Sequence, residues 1–333
     1  MKVLVVQGPS ITPGVTTEEL YQRWAQLNDI DGVSYDIVSL PHPVTFKIYD
    51  EVLDDYDALI GMWITQEVFT EELFIRHPKL KYIATTSHGF EQFDKDMTHR
   101  LGITVTNTIY GDVTIAQYAM ALLLEICHHI RVHSDYLQKD YFEKDKAPFT
   151  IALTRQIELA NKTIGVIGLG SIGFKFAKMA HGFGANVIGY DPFYKEGPQY
   201  DFIEQVSLDE LLEHSDMISI HCPLTDDTYQ LINHETISKM KDGVILINTA
   251  RGKLIDEDAL LEALNSKKIY AAGLDVLVEE PPVERSPLID HSSCIVTGHV
   301  AWLTAESRLR CVDIAVKNYQ NYLNGQPTSV INK

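Results

Sequence analysis

Short apolar runs recur along the chain, each bounded by polar or glycine-containing stretches, and they alternate with segments of helical period. The first series starts at Lys2-Val3-Leu4-Val5-Val6 and continues with a helical stretch from Glu18 to Leu27. Strands are then expected at Ser34–Leu40, Ala58–Gly61, Lys81–Thr85 and Thr104–Thr106. A second series runs through Thr163–Ile167, a helix at Phe174–Ala180 and a strand at Asn186–Tyr190. It goes on with strands at Met217–His221, Val244–Asn248, Tyr270–Asp275 and Ser293–Thr297. Alternation of this kind predicts an α/β protein with doubly wound parallel sheets and helices on both faces. Between the series, Ile115–His129 is strongly apolar and of helix length. It is too short for a bilayer span and reads as a buried or interface helix. Arg131–Arg155 is charged, tyrosine-bearing and of little periodicity, either an arm that packs on another subunit or a long surface excursion.

Composition narrows the classes. A length of 333 residues suits two domains, and a hydrophobic share of 45% fills their cores. The formal charge of −18 argues against nucleic acid or an anionic membrane as partner, so an anionic substrate needs locally placed cations and backbone N–H groups. No charged-then-apolar signal segment opens the sequence, and a cytoplasmic location is expected. Cys127, Cys222, Cys294 and Cys311 are scattered without metal spacing and read as reduced core thiols. His128, His129 and His133 lack a ligand partner, so no metal is expected.

The richest chemistry begins at Gly168-Leu169-Gly170-Ser171-Ile172-Gly173, which follows a strand and opens a helix. Gly168 allows the tight turn, Gly170 lets a pyrophosphate approach the backbone, and Gly173 lets helix pack on strand. The helix start at Ser171 and Ile172 offers free N–H groups to phosphate. The next strand ends at Asp191, 18 residues after Gly173, with Pro192 and Phe193 behind it. An acid there accepts hydrogen bonds from the adenosine ribose and repels a 2′-phosphate, and no arginine follows to receive one. The site reads as one for NAD.

Ligands in open α/β sheets sit beyond the carboxyl ends of strands. The strand Val244–Asn248 runs into Thr249-Ala250-Arg251-Gly252, which places a guanidinium where it can grip a carboxylate bidentately. Asp275 ends the next strand and suits the carboxamide of nicotinamide, with Glu280 close behind it. His299 follows the last strand, where an imidazole beside a carboxylate can shuttle a proton near neutral pH. Singly, each has a structural explanation such as a salt bridge. Their succession on successive strand ends points to chemistry.

Those strings together resemble the D-isomer-specific 2-hydroxyacid dehydrogenase family along nearly the whole chain. The match rests on Gly168–Gly173 with Tyr190-Asp191-Pro192, His221-Cys222-Pro223-Leu224-Thr225, Asn248–Gly252, Gly273-Leu274-Asp275-Val276 with Glu280-Pro281, and His299. The resemblance implies a catalytic trio of Arg251, Glu280 and His299. It implies a discontinuous substrate domain of residues 1–108 plus 303–333, and an inserted NAD-binding Rossmann domain at 109–302. Both would be Rossmann or flavodoxin-like, with an active-site cleft between them and hinges near Thr106–Tyr110 and Val300–Thr304. Further cofactor contacts would come from Cys222, Pro223, Thr228, Thr249, Ala250 and Ala301, and from Arg251 and His299 themselves. Substrate contacts would come from Ser87, His88 and Gly89, a turn offering N–H groups to the carboxylate, and from Tyr110 and Trp302. A late helix over Arg308–Leu323 and a homodimer through the NAD-binding domain complete the implied picture.

The implied reaction is reversible reduction of a 2-oxoacid to the D-2-hydroxyacid. Arg251 binds the carboxylate, His299 gives the proton, and Glu280 pairs with the imidazolium and fixes its tautomer. Met62-Trp63-Ile64-Thr65 stands where relatives acting on phosphoglycerate carry basic residues, so a phosphorylated substrate is not expected. His299–Trp302 and Ile157–Thr163 resemble the glycerate dehydrogenase (hydroxypyruvate reductase) branch. The apolar Met62 and Trp63 keep D-lactate/pyruvate or a larger apolar 2-oxoacid open. Glu280 separates the chain from formate dehydrogenase relatives, which have glutamine there. An NAD-sensing corepressor of the same family is the alternative to an enzyme.

Overall fold

A computed structural model describes residues 1–41, 44–61, 67–89, 94–139 and 150–332. In chain order the first elements are β1 (Lys2–Val6), α1 (Thr17–Trp24), β2 (Ser34–Val38), α2 (Phe46–Val52), β3 (Ala58–Gly61), α3 (Glu71–Arg76), β4 (Tyr82–Thr85), α4 (Lys95–Arg100) and β5 (Thr104–Thr106). There follow α5 (Asp112–His128), α6 (Ile130–Lys139), β6 (Thr163–Ile167), α7 (Ser171–Gly182), β7 (Asn186–Tyr190), β8 (Ile203–Gln205), α8 (Leu208–His214), β9 (Met217–Ile220) and α9 (His234–Lys239). The chain ends with β10 (Val244–Asn248), α10 (Glu257–Asn265), β11 (Ile269–Leu274), α11 (Pro287–Asp290), β12 (Cys294–Val296) and α12 (Ala305–Leu323).

The chain divides into two compact units, one of Met1–Gly111 with Leu303–Lys333 and one of Asp112–Trp302. In the first, the described strands form a parallel sheet in the order β2-β1-β3-β4-β5, the flavodoxin-like order. Side chains alternate across it. Leu4, Val6 and Leu59 face a core with Tyr49, Leu73 and Phe74, while Val3, Val5 and Ile60 face Leu20, Trp24, Val312 and Tyr319. The C-terminal α12 therefore completes one face of a sheet made from the N-terminal residues. Thr304 caps it by accepting from Ser307 N, and the helix starts three residues before the expected Arg308.

The second unit orders its described strands β12-β11-β10-β9-β6-β7-β8, with every neighbouring pair parallel. The order reverses between β6 and β9, and that switch point is where such sheets open a crevice for ligand. Val244 and Leu246 point to a core with Leu211, Ile237 and Leu260, whereas Ile245 and Ile247 point to α5 and α7 through Leu123 and Phe176. Helices thus cover both faces, as a buried parallel sheet requires.

Two sequence expectations are corrected. The stretch after Arg131 is not aperiodic at its start. Ile130–Lys139 forms α6, set off from α5 by His129 at a φ of 47°. His133 Nε2 lies 2.9 Å from Thr154 Oγ1 and ties the returning chain to this helix. The expected helix Glu18–Leu27 is α1 only to Trp24 and tightens into a 3₁₀ turn over Ala25–Asp29. Strand β8 carries too few apolar residues to stand out in sequence. Among the described residues no single helix is long and apolar enough to cross a membrane, and α5 and α6 pass that test only as a pair bent by 58°.

Candidate active site

Strand β6 delivers the chain into the glycine loop at the switch point. Gly168 has a φ of 91°, and a Cβ there would stand 2.7 Å from Cys222 N. A Cβ on Gly173 would meet the carbonyl oxygen of Gly168 at 1.9 Å. The turn can fold back on β9 only with glycine at both places. Gly170 differs, since nothing lies within 4 Å of its would-be Cβ. It is the N-cap of the twelve-residue α7 and makes no side-chain cap, which leaves the amides of the first turn without a capping side chain beside that opening. That space suits a pyrophosphate.

Asp191 follows β7 and stands beside the loop. Its Oδ2 accepts from Leu169 N at 2.9 Å and its Oδ1 from Phe193 N at 2.9 Å, which locks the carboxylate to the loop. Pro192 follows it on the exposed rim. Cys222 lies under the loop, where burial pushes its thiol up to about 12 and leaves it inert. Pro223 and Thr228 belong to the next turn, with Thr228 Oγ1 donating to Pro223 O at 2.7 Å.

Beyond β10, Asn248 shapes the following turn. Its Oδ1 accepts from Ala250 N at 2.9 Å and its Nδ2 donates to Arg251 O at 2.8 Å. Thr249, on the same turn, is buried with no partner for its hydroxyl among the described residues. Arg251 then leaves the turn close enough that its charge acts on Glu280.

Glu280 and His299 form a direct pair, His299 Nδ1 to Glu280 Oε2 at 2.6 Å. The other carboxylate oxygen accepts from Leu277 N at 2.9 Å. Burial alone would raise the carboxyl's pKa. The hydrogen bond and charge of His299, the Leu277 amide and the charge of Arg251 outweigh it and hold the pKa below the ordinary value. The pair lines a hollow of about 390 Å³ walled by Leu277, Pro281, Pro282, Ile289 and Val296.

His299 itself sits at a φ of 55°, an uncommon conformation for a residue with a side chain. The device that holds it is Asp275, which is fully buried. Asp275 Oδ1 accepts from Thr297 Oγ1 at 2.6 Å and Val300 N at 3.0 Å, and Oδ2 accepts from Ala301 N at 2.8 Å. Trp302 Nε1 donates to His299 O at 2.9 Å. The strand-end position of Asp275 is evident in sequence. This clamp is not, nor is that of Asn248.

The remaining expected residues lie in the first unit. Ser87 Oγ donates to Gly89 O at 2.9 Å, and His88 O accepts from Asn107 Nδ2 at 2.8 Å, so the turn after β4 is tied down. Tyr110 is buried, and burial raises its phenol well above the ordinary value even though it hydrogen-bonds Arg308. Met62–Thr65, read above for substrate size, lie outside the described residues. Among the described residues no group of three or more His, Cys, Asp or Glu is placed to hold a metal.

The family model for the D-isomer specific 2-hydroxyacid dehydrogenase NAD binding domain matches residues 120–301. Hydroxypyruvate reductase from Blautia hydrogenotrophica is 36% identical, with 100% of both chains covered. D-lactate dehydrogenase from Treponema pallidum is 32% identical over 92% of this chain and 93% of its own. The crystal structure of the TT0316 protein from Thermus thermophilus superposes with a TM-score of 0.82 at 30% identity, covering 99% of each chain. The glycine loop, the acid locked beside it and these full-length likenesses give one conclusion: the chain belongs to the D-isomer-specific 2-hydroxyacid dehydrogenases, NAD-dependent oxidoreductases acting on the CH–OH group of D-2-hydroxyacids.

Proposed function

We propose that this dehydrogenase reduces a small unbranched 2-oxoacid, hydroxypyruvate/glyoxylate or pyruvate, reversibly to the D-2-hydroxyacid. The observation that carries the mechanism is the 2.6 Å pairing of His299 with Glu280. Bound NADH supplies the two electrons and the hydrogen that C2 of the oxoacid takes up. Arg251 grips the substrate carboxylate through its planar fork and polarises the neighbouring carbonyl. With Nδ1 committed to Glu280, the proton on Nε2 of His299 is the one given to the developing alkoxide. Glu280 holds the tautomer and balances the charge of the protonated ring. In the oxidative direction His299 takes the proton back.

The unit of residues 1–111 and 303–333 is the proposed substrate domain, with Ser87, His88, Gly89 and Tyr110 in substrate recognition. Trp302 adds substrate contact. The other unit is the cofactor domain, in which Ser171, Ile172, Pro192, Cys222, Pro223, Thr228, Thr249, Ala250, Asp275 and Ala301 join the glycines and Asp191 around NAD. Small acids are favoured because the hydroxypyruvate and D-lactate enzymes named above act on them. A homodimer through the cofactor domain is supported by the exposed apolar side chains Ile130, Val132 and Leu137 on α6 and by Leu153. Light scattering after gel filtration tests it. A cytoplasmic location fits the free cysteines, and cell fractionation tests that.

The deciding experiment follows NADH consumption over a panel of 2-oxoacids, scored by kcat/KM, with the chirality of the product determined. Turnover is expected to be highest with the short unbranched acids and the product to be the D isomer. NADH binding without consumption of any acid would favour the corepressor-like sensor instead.

A further inference from the structure

The acid beside the adenosine ribose is not alone. Lys195 Nζ lies 3.1 Å from Asp191 Oδ1, with the two side chains only 26% and 10% exposed. The lysine is held there by its own backbone. Gln205, the last residue of β8, accepts from Lys195 N at 2.8 Å through Oε1 and donates to Lys195 O at 2.7 Å through Nε2. A side-chain amide spent at both ends on one residue fixes where that residue starts, and the ammonium reaches back to the carboxylate.

Such an acid discriminates against a 2′-phosphorylated cofactor in two ways. It repels the phosphate, and it occupies both ribose hydroxyls. Neither holds in full here. The charge of Asp191 is balanced by a cation in contact with it, and a cation and an anion side by side largely cancel at the distance of a ribose substituent. Asp191 Oδ1 already serves Phe193 N and Lys195, and Oδ2 serves Leu169 N, so one acceptor position remains for the ribose. The rim beside the pair is open, since Phe193 and Tyr194 are 76% and 73% exposed.

We propose that Lys195 makes this site tolerant of a 2′-phosphate, so that the enzyme binds NADPH as well as NADH, with the lysine ammonium as counter-ion of that phosphate. The proposal rests on the cofactor assignment above and extends it. With NADH the same ammonium faces a neutral hydroxyl and contributes little.

Direct titration of the protein with NADH and NADPH, by quenching of intrinsic fluorescence or by calorimetry, tests it without turnover. At low ionic strength the NADPH Kd is expected within about 20-fold of the NADH Kd, and added salt widens the gap by screening the phosphate. Lys195→Gln is expected to weaken NADPH about tenfold or more while moving NADH no more than about threefold. Lys195→Arg keeps NADPH binding, because it keeps the charge. Thermal melting of each variant without nucleotide separates loss of fold from loss of contact. An NADPH Kd more than about a thousandfold above that of NADH in the parent protein overturns the proposal, as does equal weakening of both nucleotides by Lys195→Gln. If NADH fails to bind as well, the cofactor assignment falls first.

Discussion

Asp275 holds His299 without touching its ring. The carboxylate takes the amides of Val300 and Ala301 at 3.0 and 2.8 Å, the hydroxyl of Thr297 at 2.6 Å, and the backbone carbonyl of Asp275 takes the amide of His299 at 2.8 Å. A left-handed residue persists only where its surroundings over-determine it, and this is such a place. Asp275→Asn leaves one oxygen for donors that now have two and turns an NH₂ toward them. A loss of about 2–3 kcal/mol is expected, with kcat down about tenfold or more. Thermal melting and steady-state kinetics check both. Unchanged kcat would mean that His299 keeps its place without the clamp.

The His299 and Glu280 substitutions separate two roles. His299→Gln removes the proposed proton donor and is expected to cost about 10²–10⁴ in kcat while NADH still binds. Glu280→Gln keeps an oxygen opposite Nδ1 but removes the balancing charge, so a smaller fall of about 10–10² is expected. Near-full turnover in His299→Gln would remove the histidine from the mechanism.

Three glycines should respond differently to one added methyl group. Gly252 packs where a Cβ would lie 1.9 Å from Leu277 O, between the turn of Arg251 and the loop of Glu280. Gly252→Ala should therefore displace two proposed catalytic side chains at once and lower both melting temperature and kcat. Gly173→Ala forces helix and loop apart and should lower both melting temperature and NADH affinity. Gly170→Ala meets nothing in the protein, so its stability should fall by no more than the roughly 1 kcal/mol of a poorer N-cap, yet NADH should bind at least tenfold more weakly. Equal NADH affinity in the Gly170 variant would place the pyrophosphate elsewhere.

What can be read in advance depends on how local the signal is. The glycine loop announces itself because strand, turn and helix are contiguous, and β10, β11 and β12 are apolar enough to show where Arg251, Asp275 and His299 leave the sheet. The clamp of Asp275 is illegible because its acceptors' partners lie 22 to 26 residues further along, brought close only by the parallel pairing of β11 with β12. Lys195 stays hidden because an arginine is the usual signal behind such an acid, and its own position depends on Gln205 in a strand too short to notice. Helix α6 runs straight into residues of no period, which dilutes its own.

His221 links stability to pH. Its ring packs on Phe176 at 5.0 Å between centroids and its Nε2 lies 2.8 Å from Ser219 Oγ, directly beneath the glycine loop. Burial lowers its pKa from 6.5 to about 3, so the folded protein keeps it neutral where the unfolded chain protonates it. Above about pH 6.5 both states leave the ring neutral and nothing is lost. Below that the unfolded chain binds a proton that the folded one refuses, and stability falls with pH until about pH 3. Some of the residue's surface remains exposed, so the cost at pH 5 is expected at about 1–2 kcal/mol, or roughly 2–8 °C in melting temperature. His221→Gln removes this proton while leaving every other titrating group in place. The drop in melting temperature between pH 7.5 and pH 5 should therefore be larger in the parent protein than in the variant by that amount. Parallel drops would show that the folded protein protonates His221 as readily as the unfolded chain does.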